Sequence, residues 1–150
     1  MFKITGRLRN AARLERRIED LGRDIEKAAL EGLQDGADIV VNHAKRLVAK
    51  GPKTGRTYKK YRPNRTHRAS APGEAPATDT GRLLNAIRAR PARKKLTLEI
   101  FAGTKYARWL EYGTRRIRPR PFLRRALREK RVEVTELVQD YIRETIVKGR

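Results

Sequence analysis

Apolar residues recur at spacings of three and four from Leu14 onward: Leu14, Ile18, Leu21, Ile25 and Ala28, then Leu33, Ala37, Val40, Ala44 and Leu47. Charges fill the opposite face, so the pattern predicts one long amphipathic helix, stopped by Gly51-Pro52. A second stripe, Leu123, Leu127, Val134, Leu137, Val138, Tyr141 and Ile142, predicts a helix over about 121–147, with Pro121 in its first turn. Leu14, Ile18, Leu21 and Ile25 are expected to face Leu127, Val134, Val138 and Tyr141. Gly22, Gly32 and Gly36 interrupt the first stripe, each at about 1 kcal/mol relative to alanine. They call for a close helix contact, or a kink near Gly22.

Between the helices the period changes. Leu96, Leu98 and Ile100 alternate with Thr97, Glu99 and Phe101, a strand pattern. With the extended Arg88–Pro91 and the polar turn Ala92–Lys95, it predicts a hairpin over 87–102. Tyr106–Tyr112 reads as a short helix with Ala107 and Leu110 inward and Gly113 past its end. Phe2–Thr5 alternates as a short edge strand. The fold class is α+β: two long helices packed on a small, mostly antiparallel β-sheet, with two short connecting helices, in one domain spanning 1–150.

The stretch from His67 to Ile87 carries most of the unusual backbone chemistry. Pro72-Gly73 predicts a type II turn, proline presetting φ and glycine accepting a positive φ at the next position. Pro76 keeps Ala75 extended. Asp79 or Thr80 is expected to cap a helix running from Gly81 to Ile87. Before it, Lys53–Thr66, with Tyr58 and Tyr61, reads as an exposed loop or a weak hairpin, within a flexible basic loop over about 51–78. After it, the two prolines of Arg115–Pro121 favour an extended arm.

Composition adds a strong bias. Lys+Arg number 38 and Asp+Glu 17, a net charge of +21, and charged residues make up 37 % against a usual ~25 %. The partner surfaces are therefore acidic proteins or nucleic acid, unless the charge only solvates the surface. Basic residues interleaved with tyrosines suit stacking on single strands; they equally suit an assembly loop that orders against a neighbour. There is no cysteine, no apolar run of ~18 residues to cross a membrane and no secretory h-region at the start.

No catalytic constellation is visible, and the chain is expected not to be an enzyme. His43 and His67 are the only histidines. His43 sits among helix residues as a structural or surface group, and two separated histidines without cysteine make a poor zinc set. Asp79-Thr80-Gly81 has the letters of an aspartic-protease motif in a single copy, and Glu74 flanks a turn. No cofactor or metal is called for. Glu111 is the carboxylate that stands out. It reads either as a salt bridge to Arg115 or Arg82 within one subunit, or as a charge pair across a subunit boundary.

Four pieces occur in order: the Arg68-Ala-Ser-Ala-Pro-Gly-Glu-Ala-Pro76 loop, Asp79-Thr-Gly-Arg-Leu83, Tyr106-Ala-Arg-Trp-Leu-Glu-Tyr-Gly-Thr114, and Arg120-Pro-Phe-Leu123. Together they resemble the neck, or tail-completion, family of long-tailed double-stranded DNA bacteriophages. The resemblance implies a structural virion protein at the head–tail junction, assembled in the host cytoplasm. It implies a homo-oligomeric ring, six-fold favoured and twelve-fold possible, meeting head-closure or connector proteins on one side and tail-terminator or tail-tube proteins on the other. Packaged DNA would pass through without being read. The residues assigned to subunit or partner contacts are Arg68, Ser70, Pro72, Gly73, Glu74, Asp79, Arg82, Glu111, Tyr112, Thr114, Arg115, Arg118, Arg120 and Phe122. The alternative is a sequence-nonspecific nucleic-acid-binding protein, supported by charge but by no recognition motif.

Overall fold

The computed structural model describes residues 10–62 and 64–149. The strand expected at Phe2–Thr5 lies outside the described residues. The order is α1 (Ala11–Lys50), β1 (Thr57–Tyr61), β2 (Asn64–Arg68), α2 (Arg82–Ala86), β3 (Ile87–Pro91), β4 (Leu98–Ala102), α3 (Ala107–Tyr112) and α4 (Leu123–Lys148).

The two long helices form an antiparallel pair along which the chain is built. Gly32 lies against Val138 and Tyr141, and Gly36 against Val134, while Leu21 reaches Gly149 near the far end of α4. A Cβ on Gly36 would come 2.6 Å from the Val134 side chain, and one on Gly32 would come 3.1 Å from the Val138 backbone. These two glycines let the helices approach closely, as the sequence called for. Gly22 has nothing within 4 Å of a Cβ among the described residues, so no close helix contact accounts for it. Two polar bridges tie the pair across its sides. The Tyr141 hydroxyl donates to Asp35 at 2.5 Å, and His43 Nε2 meets Glu129 at 2.6 Å. The bond to Asp35 and its negative charge push the Tyr141 phenol upward. The His43 bond, followed by the Arg125 bond, lowers Glu129.

The expected facing of Leu14 and Ile18 onto α4 is corrected. Helix α1 has 40 residues and α4 has 26. The shorter helix ends beside Leu21, so Leu14 and Ile18 overhang it, 58 % and 61 % exposed. The core lies toward the opposite end, where Val40, Val41, Ala44 and Val48 meet Ala75, Leu83, Ile87, Ala107, Phe122 and Ala126.

The α+β class holds, with the sheet divided in two. The β3–β4 hairpin pairs Ile87 with Ala102 through Pro91 with Leu98 and packs on α1. Its turn at 92–97 matches the polar turn read from the sequence. A second hairpin, β1–β2, pairs Thr57 with Arg68 through Tyr61 with Asn64. The weak-hairpin reading of the basic segment is thus correct in place of a slack loop. Pro121 precedes α4 instead of lying in its first turn: Phe122 is the N-cap. Among the described residues no helix is long and apolar enough to cross a membrane.

Candidate assembly surface

Two acid-free cationic segments meet at the core end of the helix pair. Residues 51–68 carry Lys53, Arg56, Lys59, Lys60, Arg62, Arg65 and Arg68. Residues 112–128 carry Arg115, Arg116, Arg118, Arg120, Arg124, Arg125 and Arg128. Three carboxylates, Glu74, Asp79 and Glu111, fix their positions, each through partners distant in sequence.

Glu74 fastens the Pro72-Gly73 turn. Gly73 has φ +86°, and Glu74 N donates to Ala71 O at 3.2 Å, in keeping with the predicted type II turn. The Glu74 carboxylate accepts from Ala71 N at 2.7 Å, from Thr54 N at 3.2 Å and from the Thr54 hydroxyl. The Thr54 hydroxyl, then the Ala71 amide, hold its pKa below the usual carboxylate range, with help from Arg120. The turn also meets the arginine arm, since Gly73 N donates to Pro119 O at 3.0 Å. Ser70 is buried, and its Oγ accepts from Ala77 N at 3.4 Å. Ser70 is therefore turned inward, and the half-buried Glu74 spends its carboxylate within the loop. Pro72, Gly73 and Arg68 are exposed.

Asp79 does not cap α2, and neither does Thr80. The cap position is Gly81 at φ +76°, with no side-chain hydrogen bond. Asp79 instead accepts from Lys60 and, at 2.5 Å, from Arg65, with His67 Nδ1 3.7 Å away. Lys60, Arg65 and His67 share one face of β1–β2, because residues two apart on a strand, and residues paired across it, point the same way. One carboxylate thus anchors a hairpin whose tyrosines, Tyr58 and Tyr61, are both exposed, and an isolated two-stranded hairpin is marginal in water. The Lys60 hydrogen bond, then the charges of Arg65, Lys60 and His67, lower the Asp79 pKa. A lowered carboxylate stabilises the folded form above its unfolded pKa and loses that effect as pH falls through its folded value. Acidification below the usual carboxylate range of about 4 is therefore expected to release β1–β2 before the helices melt. Amide exchange should show protection lost first at 57–68. Asp79→Asn should produce the same pattern at neutral pH, and simultaneous loss of helix protection would refute it.

Glu111 is committed inside the subunit. It is 3 % exposed and accepts from three backbone amides at the start of α4: Phe122 N at 2.8 Å, Leu123 N at 3.0 Å and Arg124 N at 2.9 Å. Its ion pair is with Arg124, Nε to Oε1 at 3.2 Å, so the pairing with Arg115 or Arg82 and the boundary charge pair are both corrected. No cap side chain comes from Phe122 itself, and Glu111 does that work from α3. Arg124 also donates to Glu111 O at 3.0 Å and lies 4.7 Å from the centre of the exposed Tyr112 ring. Phe122 is fully buried, so it belongs to the core and not to a contact surface.

The arginine arm begins as a turn. Thr114 N donates to Ile117 O at 2.8 Å, while Thr114 Oγ1 accepts from Arg116 N and Ile117 N. Gly113 sits at φ +77°, and a Cβ there would come 2.8 Å from Ile117 O. The chain then runs through Pro119, and Arg120 N donates to Leu110 O. Arg82, Arg115 and Arg118 are exposed. Arg120 is half-buried beside a polar cleft of about 270 Å³ that Ser70, Thr78, Asp79 and Tyr106 also line. Two buried atoms of its walls, Thr78 Oγ1 and Arg120 Nε, have no partner among the described residues.

A family model, HK97-gp10-like, described as "Bacteriophage HK97-gp10, putative tail-component", matches residues 12–113. No curated protein and no solved structure matches the chain.

Proposed function

The chain belongs to the HK97-gp10-like family of phage tail components, and from that premise we propose that it joins the DNA-filled head to the tail as a subunit of a ring in the neck. Membership makes it a structural component of the phage tail region. The pairing of two acid-free basic segments, 51–68 and 112–128, at one end of a helical stem supports the neck role. Both are held by internal carboxylates, which engage Arg65 and Arg124 and leave other exposed arginines, such as Arg115 and Arg118, for a partner. Acidic rings of neighbouring virion proteins, or DNA in the channel, match that charge. The role needs no chemistry, and we read the protein as structural and not an enzyme. Six copies are favoured, twelve possible.

Phage carrying Arg115→Glu and Arg118→Glu test the reading. Filled heads and finished tails are expected to accumulate separately, visible by electron microscopy, while the purified variant keeps its melting temperature. Normal joined particles would sink the proposal, and unfinished tails would move the role to tail assembly. The exposed Tyr58 and Tyr61 in the basic hairpin favour a second reading, nonspecific nucleic-acid binding. A steep fall of DNA affinity with salt, without binding to any virion protein, would select it.

A further inference from the structure

Two apolar surfaces lack a partner among the described residues, and they lie at opposite ends. The first is the overhang of α1, where Leu14 and Ile18 continue, one turn apart, the stripe that α4 covers farther along. At 100° per residue, Glu15 and Glu19 fall together on one flank of that stripe, with Arg13 and Arg17 on the other. The second is an open groove of about 400 Å³ beside β4, α3 and α4, whose apolar lining includes Leu98, Ile100, Leu123 and Leu127. Arg108 and Arg124 line it as well, and Arg128 follows one helical turn after Arg124.

We propose that the overhanging start of α1 from one copy seats in this groove of the next copy. An amphipathic helix presenting apolar anchors at i and i+4 is the usual occupant of such a groove. The charges agree, with Glu15 and Glu19 set against Arg108 and Arg128. No chain can fill its own groove. His43 pairs with Glu129, which puts Leu127 near the level of His43, and Leu14 lies 29 residues back along a straight helix, roughly 40 Å away at ~1.5 Å per residue. The contact is therefore heterologous: each copy gives a helix to one neighbour and a groove to the other, and the series closes as a ring if the rotation permits. Closure rests on the neck-ring reading above; the contact itself does not.

The absence of cysteine makes the test clean. Leu14→Cys and Leu127→Cys in one chain, mildly oxidised at low salt, are expected to give a ladder of covalent multimers, and neither single variant should. Glu15→Lys with Glu19→Lys should weaken the ladder at least tenfold, and adding Arg108→Glu with Arg128→Glu should restore it. A double-cysteine protein of normal helix content that stays monomeric overturns the inference. So does a dimer from either single variant, which would mean a symmetric contact, or a Leu14→Cys crosslink to a different virion protein. Phage carrying Leu14→Asp and Ile18→Asp separate this from joining. Joining lost where no ladder forms leaves the neck reading standing without this contact. A ladder in the cysteine protein with joining intact in those phage leaves the contact standing without the neck role.

Discussion

Glu111→Ala is expected to lower the unfolding free energy by about 3–5 kcal/mol, since buried donors left without an acceptor cost about 1–3 kcal/mol each. Three backbone amides at the start of α4 would lose their acceptor, and the helix N-terminus would lose the negative charge that its dipole favours. At ~2–4 °C per kcal/mol for a chain of this size, the melting temperature should fall by roughly 6–20 °C. Glu111→Gln keeps one acceptor oxygen but not the charge and should fall between. Arg124→Ala leaves the amide cap and removes only the Arg124 side chain's own contacts, the salt bridge, the bond to Glu111 O and the Tyr112 ring. The Arg124 side chain is 57 % exposed, and exposed pairs contribute about 0–1 kcal/mol, so its effect should be small. Equal losses for Arg124→Ala and Glu111→Ala would mean that the ion pair, and not the cap, holds α4 in place.

The helices were legible because their apolar stripes keep a period near 3.6 over many turns, and β3–β4 because Leu98, Ile100 and their neighbours alternate. Pro72-Gly73 was legible because only one backbone geometry suits that pair. The carboxylates were not legible, since each acts at a distance. Asp79 reads locally as a cap, yet Lys60 and Arg65 lie 19 and 14 residues away, and β-pairing brings them together. One clue to Glu111 was present. The residue at the start of α4 is Phe122, which cannot accept a hydrogen bond, so the first amides needed an acceptor from elsewhere. The overhang was also foreshadowed by the unequal stripes: a helix of 40 residues cannot be covered along its length by one of 26. Family resemblance pointed to the phage neck, but it assigned inward residues such as Ser70 and Phe122 to a contact surface, because a motif does not say which of its members face the solvent.

Phe122→Ala is the second large effect, about 3–5 kcal/mol by the usual range for deleting a buried aromatic ring. The ring is fully buried at the junction of three elements, in one cluster with Val48 of α1, Ile87 of β3 and Ala126 of α4. Its removal leaves a void among α1, β3 and α4, where Ala44 and Ala126, both fully buried, are too small to fill it. Phe122→Leu retains most of the volume and should cost only about 1–2 kcal/mol. Arg118→Ala, at an exposed position, should stay within about 0.5 kcal/mol. Denaturant unfolding of the three variants measures this order directly, and a Phe122→Ala loss no larger than that of Arg118→Ala would mean that the ring is not part of the core. Under the neck role proposed above, head–tail joining should fail in Phe122→Ala phage through loss of folded subunit, so its melting curve must be read beside the joining assay. Under the same proposal, Phe122→Leu phage, where the fold survives, should still join.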